Sequence, residues 1–220
     1  DFDDTQIDTH LKPCEGNKAV LIAASSGWGN YRHQADMLAY YQLLKMNGFT
    51  DDDIILIMAD DLVSDPKNPY PGQIIRNNNS LENLYTDVKV DYKLSLLTPF
   101  DLKNILLGIS SEKLPVVLDT EDHDNVLFLW SGHGAPGSLV WDENKKTITG
   151  DFMADLFNEM YVAGKYRKLF GIIEACYAGS VAAKCKGVPN LLLMTAANDK
   201  ETSKAELYAP LWNTYLSNSF

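Results

Sequence analysis

The chain has 220 residues, of which 45% are hydrophobic, and a formal net charge of −11. The acidic balance argues against a nucleic-acid binder, which needs a basic face to neutralise phosphates. No apolar run approaches the ~20 residues of a membrane-spanning helix, and three cysteines are too few for a disulfide-rich scaffold. Because no linker or low-complexity stretch divides the chain, we expect residues 1–220 to form one domain.

Five short apolar runs predict the strands of a parallel sheet. Each run is about one buried strand long and almost continuously apolar, which is typical of strands covered on both faces. Helical patterns alternate with the runs, so the sequence predicts an α/β fold with a mainly parallel sheet and helices on both faces. The runs are Ala19–Ala24, Ile54–Ala59, Val126–Trp130, Leu169–Ile173 and Leu191–Thr195.

Three helices are predicted between these strands. The first covers Tyr31–Met46, where apolar residues share one helical stripe. The second begins near Thr98, a capping residue followed by Pro99 at the first helical position. The third covers about Asp151–Val162 and also has one apolar stripe.

Three segments follow predicted strands, where sites form in open α/β sheets. They are Ser25–His33, Ser131–Gly137 and Glu174–Gly179. The second carries His133 between two glycines, and the third carries Cys176 among small residues. Taken singly, these residues also fit a turn histidine and a buried structural cysteine.

Together, Cys176 and His133 indicate acyl-transfer chemistry. Neighbouring parallel strands would bring both residues to one edge of the sheet, where an imidazole can activate a thiol nucleophile. The backbone N–H groups of Gly134 and Cys176 would then form an oxyanion hole. The other thiols, Cys14 and Cys185, are not expected to be catalytic.

The first of these segments leaves two residues with alternative interpretations. Asn30 is either an N-cap of the following helix or a residue that orients His133. Arg32 is either a surface charge or a group that holds a polar substrate side chain. The spacing alone does not decide between these alternatives.

Several ordered motifs resemble those of the legumain (asparaginyl endopeptidase) family. The similarity runs from about Lys18 to Ser203, and the order of the motifs makes it more specific than any one of them. The motifs are Gly27–Asp36, Asn68–Gly72, Ser131–Gly134, Ile173–Cys176 and Thr195–Ser203.

The resemblance implies a caspase-like fold and a cysteine peptidase that forms an acyl-enzyme without a cofactor or a metal. It implies Cys176 as the nucleophile, His133 as the acid/base and Asn30 as the third catalytic residue. The pocket for the residue before the cleaved bond would be lined by Arg32, Glu174 and Ser203, with His33 beside it. Peptides or proteins would be the substrates, cleaved after asparagine first and aspartate second.

Two positions depart from the family pattern. Legumains usually have an aspartate directly before the catalytic histidine, and this chain has Gly132. A further acidic pocket residue of the family aligns with Ala209-Pro210. Chemistry of the first aspartate cannot be assumed, and without the second acid the preference for asparagine would be broader.

The sequence leaves two rival functions open. The catalytic subunit of the GPI-anchor transamidase has the same fold and Cys/His pair, but the Asn68–Gly72 loop favours legumain. A non-catalytic binding module on the same fold would be expected to lack Cys176 or His133. The resemblance also implies an extracytoplasmic protein with a leader and a propeptide outside this sequence, held inactive until cleaved.

Overall fold

The computed structural model describes residues 15–76, 81–142 and 146–204. The helices are α1 (Tyr31–Met46), α2 (Pro99–Leu106), α3 (Gly150–Val162) and α4 (Ala178–Ala182). The strands are β1 (Asn17–Ala23), β2 (Ile54–Met58), β3 (Tyr92–Lys93), β4 (Asn125–Ser131), β5 (Gly134–Ala135), β6 (Ser138–Trp141), β7 (Lys146–Thr149), β8 (Lys168–Glu174) and β9 (Leu191–Thr195).

The central sheet of the described residues has six parallel strands in the order β3-β2-β1-β4-β8-β9. The five predicted strands and their parallel arrangement are confirmed. The sequence did not predict the short edge strand β3 or the separate antiparallel sheet β5-β6-β7. These strands have two to four residues each, which is too short for a periodic pattern to identify them.

Helices cover both faces of the sheet, as predicted. Side chains of β1 alternate between the faces, so Leu21 packs in the cluster with α1, and Val20 packs in the cluster with α2 and α3. The predicted cap of α2 is confirmed as a capping box, in which Thr98 and Asp101 each accept a hydrogen bond from the other's backbone N–H.

The register of the central strands creates one edge at which several loops meet. Ala23 of β1 pairs with Ser131 of β4, and Ser131 pairs with Glu174 of β8. Since these strands are parallel and end in register, the segments that follow them leave the sheet side by side.

Candidate active site

The loops after β4 and β8 carry His133 and Cys176 to the same edge of the sheet. Each residue lies two positions beyond the paired residues Ser131 and Glu174. The loops touch at Gly134, because a Cβ atom there would lie 2.0 Å from the carbonyl oxygen of Cys176. The prediction that His133 and Cys176 follow adjacent strands is therefore confirmed.

Cys176 lies on a tight turn that the C-terminal segment holds in place. Tyr177 has a left-handed backbone with φ of 55°, and its N–H donates to the carbonyl of Glu201 at 2.9 Å. The half-buried thiol of Cys176 donates to the carbonyl of Ser203 at 3.9 Å. These contacts tie residues 201–203 to the turn that presents the thiol.

Asn30 contacts His133 rather than capping its own helix. It occupies the N-cap position of α1, but its side chain makes no capping hydrogen bond. Its Oδ1 lies 2.8 Å from His133 Nε2, and its Nδ2 donates to the carbonyl of Ser26 at 2.9 Å. Of the two interpretations of Asn30, the geometry matches the orienting one. An amide oxygen at Nε2 favours the tautomer with N–H on Nε2, which leaves Nδ1 unprotonated in a neutral imidazole.

The buried side chain of His33 packs behind His133. The two rings meet edge to face with centroids 4.9 Å apart, and His33 Nδ1 lies 2.6 Å from Ser25 Oγ. Burial, as the largest cause, and the charges of Arg32 and His133 together lower the pKa of His33 to about 3. His33 is therefore neutral at ordinary pH and adjoins the imidazole of His133. Its position beside the substrate pocket, which the resemblance implies, stays a prediction.

Glu174 and Ser203 line one cleft of about 520 Å³, whose wall also includes Ile172, Met194 and Lys204. Clefts of this size hold small ligands or single side chains. The wall contains both apolar and polar groups, as a pocket for a polar side chain requires. Two of the three predicted pocket residues therefore lie together.

Arg32, the third predicted pocket residue, is half-buried in the first turn of α1 and is not among the residues that line this cleft. Its Nη1 donates to the carbonyl of Gly29 at 3.1 Å. Its charge nevertheless reaches Asp36, which lies one turn later on α1 and interacts with Glu174. Arg32 is thus electrostatically connected to the Glu174 side of the cleft.

Two aspartates near the site were not identified from sequence. Asp36 is fully buried and accepts a hydrogen bond from Ser131 Oγ at 3.0 Å. Asp61 accepts from the N–H of Gly27 at 2.7 Å and from Gln34 Nε2 at 2.7 Å, and so anchors the segment that carries Asn30. One sequence feature could have identified Asp36: it is a carboxylate four residues after Arg32, on the stripe of α1 that faces the sheet.

Sequence comparison assigns this arrangement to a family. The model of the Peptidase C13 family matches residues 17–220. The chain belongs to the Peptidase C13 family. At family level it is thus of the cysteine-peptidase type with a caspase-like α/β fold, which confirms the resemblance to legumain.

Curated relatives include both legumains and transamidases. The chain is 34% identical to legumain of Mus musculus over 94% of this chain and 48% of the relative. It is 33% identical to the vacuolar-processing enzyme delta-isozyme of Arabidopsis thaliana over 100% of this chain and 46% of the relative. It is 31% identical to the GPI-anchor transamidase of Sus scrofa over 93% of this chain and 52% of the relative. The chain therefore spans about half the length of these relatives.

Gly132 is tightly packed, which gives a physical reason for its departure from the legumain pattern. A Cβ at this position would lie 3.0 Å from the Cβ of Ala24 and 3.2 Å from Nε1 of Trp130. An aspartate therefore fits only if Ala24 and the buried indole of Trp130 both give way. The other departure, at Ala209-Pro210, lies outside the described residues.

Cys185 is remote from this chemistry. Its buried thiol donates to the carbonyl of Val181 at 3.6 Å, and burial raises its pKa to about 11. Cys14 lies outside the described residues. Among helices in the described ranges, none has the length and apolar character needed to cross a membrane.

Proposed function

We propose that this chain is the peptidase unit of a legumain-like cysteine endopeptidase that cleaves after asparagine, and more slowly after aspartate. The observation that carries the proposal is the hydrogen bond between Asn30 and His133 at the edge where Cys176 emerges. It orients an imidazole on the loop that touches the loop of Cys176, and nucleophilic catalysis requires such an imidazole to act on the thiol.

In the proposed mechanism, His133 takes the proton of the Cys176 thiol, and the thiolate attacks the substrate carbonyl carbon. The tetrahedral intermediate collapses to a thioester as His133 gives the proton to the leaving amine. His133 then takes a proton from a water molecule, which attacks the thioester carbonyl. The acid product leaves as the Cys176 thiolate departs and regains the proton from His133. Asn30 keeps the imidazole in position through both steps.

The backbone around Gly134 supports its proposed role in the oxyanion hole. Val140 N–H donates to the carbonyl of His133 at 2.9 Å, and Gly134 pairs with Leu139 in β6. Because hydrogen-bonded and non-hydrogen-bonded pairs alternate in an antiparallel ladder, the N–H of Gly134 points away from β6. It is thus available, with the N–H of Cys176, to a developing oxyanion.

The proposed specificity follows from Glu174 and Ser203 in the cleft and from Arg32, whose charge reaches the Glu174 side of it through Asp36. Glu174 accepts from the NH₂ of a substrate asparagine, Arg32 donates to its carbonyl oxygen, and Ser203 can do either. A substrate aspartate lacks the donor and adds a negative charge opposite Glu174. Lysine and arginine would be repelled by Arg32.

A transamidase is the second candidate, because GPI-anchor transamidases of Sus scrofa and Drosophila melanogaster match this chain at 31% and 33% identity. The two functions have the acyl-enzyme in common and differ in whether water or an amine resolves it. A non-catalytic binding module is disfavoured by the presence of both Cys176 and His133.

We also propose an extracytoplasmic location, with a leader and an activating cleavage in the full-length protein. The support is the similarity to relatives named vacuolar-processing enzymes. Imaging of the full-length protein with a C-terminal tag should find it in a vacuole-like or secretory compartment. A purely cytosolic signal would contradict this location.

A fluorogenic peptide library, varied only at the residue before the cleaved bond, tests the proposed function. We expect the activated full-length protein to cleave asparagine peptides fastest, aspartate peptides more slowly, and lysine or arginine peptides not at all. Preferred cleavage after a basic or a large aromatic residue would overturn the pocket assignment. Adding an amine nucleophile and measuring the ratio of amide to acid product distinguishes the transamidase.

A further inference from the structure

Two carboxyl groups meet beneath the cleft. Asp36 projects from α1 and is completely buried, while Glu174 ends β8 and lines the cleft. The two side chains lie within hydrogen-bonding reach of each other. Ser131, which pairs with Glu174 across the parallel strands, donates to Asp36 Oδ2 at 3.0 Å.

The remaining oxygens of this pair are shielded from solvent. Asp36 Oδ1 and Glu174 Oε2 are both buried. Two ionised carboxylates have only acceptors, so they cannot hydrogen bond to each other and instead repel. One proton between them changes the repulsion into a charge-assisted hydrogen bond.

We propose that Asp36 is a positioning residue for the cleft that Glu174 lines. Asp36 keeps its carboxyl proton and donates a hydrogen bond through it to Glu174. The hydrogen bond from Asp36 to the buried oxygen of Glu174 then fixes this side chain. The other oxygen of Glu174 faces the cleft as the acceptor for a substrate amide. The pair carries a single negative charge that the guanidinium of Arg32 balances. The link to specificity rests on the proposed function, whereas the shared proton does not.

The proton belongs on Asp36 because Asp36 is fully buried and Glu174 borders the cleft. Burial raises the pKa of Asp36 well above its usual range, and the charge of Glu174 raises it further. The hydrogen bond from Ser131 and the charge of Arg32 oppose this rise without reversing it.

The other groups around the pair fit the same assignment. Tyr40 lies one turn after Asp36 on α1, and its pKa is raised by burial and by both carboxyl groups, so it stays neutral. His33 is neutral as well, because its pKa is lowered to about 3. On the open side, Glu201 and Lys204 line the cleft with opposite charges.

The substitution Asp36→Asn tests this assignment, since an amide can donate to Glu174 while its oxygen accepts from Ser131. We expect Asp36→Asn to keep kcat/KM for asparagine peptides within about threefold of the unaltered protein. Asp36→Leu removes the donor, and we expect KM to rise at least about tenfold with a smaller change in kcat, because binding is affected more than chemistry. Asp91→Asn, a buried aspartate at the opposite end of the sheet, is the matched control and should leave KM unchanged.

Unfolding by urea at pH 5 and pH 8 tests the shared proton without any substrate. A protein whose native state keeps an aspartate protonated loses stability as pH rises above about 3.9, the pKa of aspartate in the unfolded chain. Above this pH the aspartate is ionised only in the unfolded state. We therefore expect Asp36→Asn to gain stability relative to the unaltered protein as pH rises from 5 to 8. An identical pH dependence in both proteins would overturn the shared proton, even if the peptidase is active.

The two measurements separate the possible failures. If the stability difference appears but no peptide is cleaved, the shared proton stands and the proposed function fails. If asparagine peptides are cleaved but Asp36→Asn loses activity as severely as Asp36→Leu, the positioning role of Asp36 is wrong and the peptidase assignment stands.

Discussion

Asn30 Oδ1 lies 2.8 Å from His133 Nε2, although 103 positions separate the two residues along the chain. The contact exists because β1 and β4 are neighbours in register, so the loop after each strand leaves the same edge of the sheet. It links the amino end of α1 to the imidazole of His133, whose loop touches the loop of Cys176. Altering Asn30 should therefore change the orientation of the His133 imidazole.

Replacing Asn30 by alanine should lower kcat/KM by about 10²-fold, since an unrestrained imidazole spends less time in the reactive orientation. His133→Ala should cost more, because it removes the acid/base itself. Steady-state cleavage of an asparagine peptide measures both. Asn47→Ala, at the opposite end of α1, is the control. Equal losses in the Asn30 and Asn47 variants would mean that Asn30 acts only through the stability of α1.

Gly134→Ala should strongly impair both stability and catalysis. The new Cβ would lie 2.0 Å from the carbonyl oxygen of Cys176, so one of the two loops must move. Gly29→Ala is the matched control, because a Cβ at Gly29 meets nothing within 4 Å. Urea unfolding and peptide cleavage should show a large defect only in the Gly134 variant. Similar behaviour of the two variants would contradict the close contact between the loops.

Gly132→Ala should destabilise the protein by about 1–3 kcal/mol, the usual cost of overpacking a well-packed site. The added methyl group would press on Ala24 and on the buried indole of Trp130. Trp130→Phe removes the contact with the indole nitrogen and leaves the contact with Ala24, so the combined variant should lose less stability than the two single losses together. Additive losses, measured by urea unfolding of all three variants, would show that Trp130 does not limit this position.

Acid sensitivity should depend partly on His33. Its pKa is about 3 in the folded protein, against about 6.5 when unfolded. The unfolded state thus binds more protons between these values, so stability is fully present above about pH 6.5 and is lost as pH falls toward 3. Each pH unit in this window costs up to about 1.4 kcal/mol. His33→Gln should show a shallower loss of stability by urea unfolding at pH 7 and pH 4.5, and an unchanged loss would show that folding does not lower the pKa of His33.

The sequence predicted the elements whose pattern is local. Continuous apolar runs identified the five long strands, and the stripe and stop signal of α1 placed its ends at Tyr31 and Met46. His133 lies in a turn between two glycines, and Cys176 lies in a turn among small residues. Both residues could be identified because parallel strands place such turns at one edge of the sheet. The family motifs then supplied the remaining candidate residues.

Properties that depend on register and burial were not predictable in this way. The sequence allows two interpretations of Asn30, and the hydrogen bond to His133 distinguishes them. Asp36 resembles an ordinary charged residue of a helix, and only the pairing of Ser131 with Glu174 shows that it faces a second carboxyl group. The tight fit of Gly132 depends on Trp130, whose side-chain placement is tertiary information.

The central claim is that Cys176, activated by His133, attacks the substrate. Its most direct test is the mass of the activated protein after reaction with an asparagine-directed thiol electrophile, with the labelled peptide identified. We expect one adduct, on Cys176. It should be absent in Cys176→Ala, form much more slowly in His133→Ala and form at an unchanged rate in Cys185→Ala. An adduct on Cys185, or undiminished peptide cleavage by Cys176→Ala, would contradict the account.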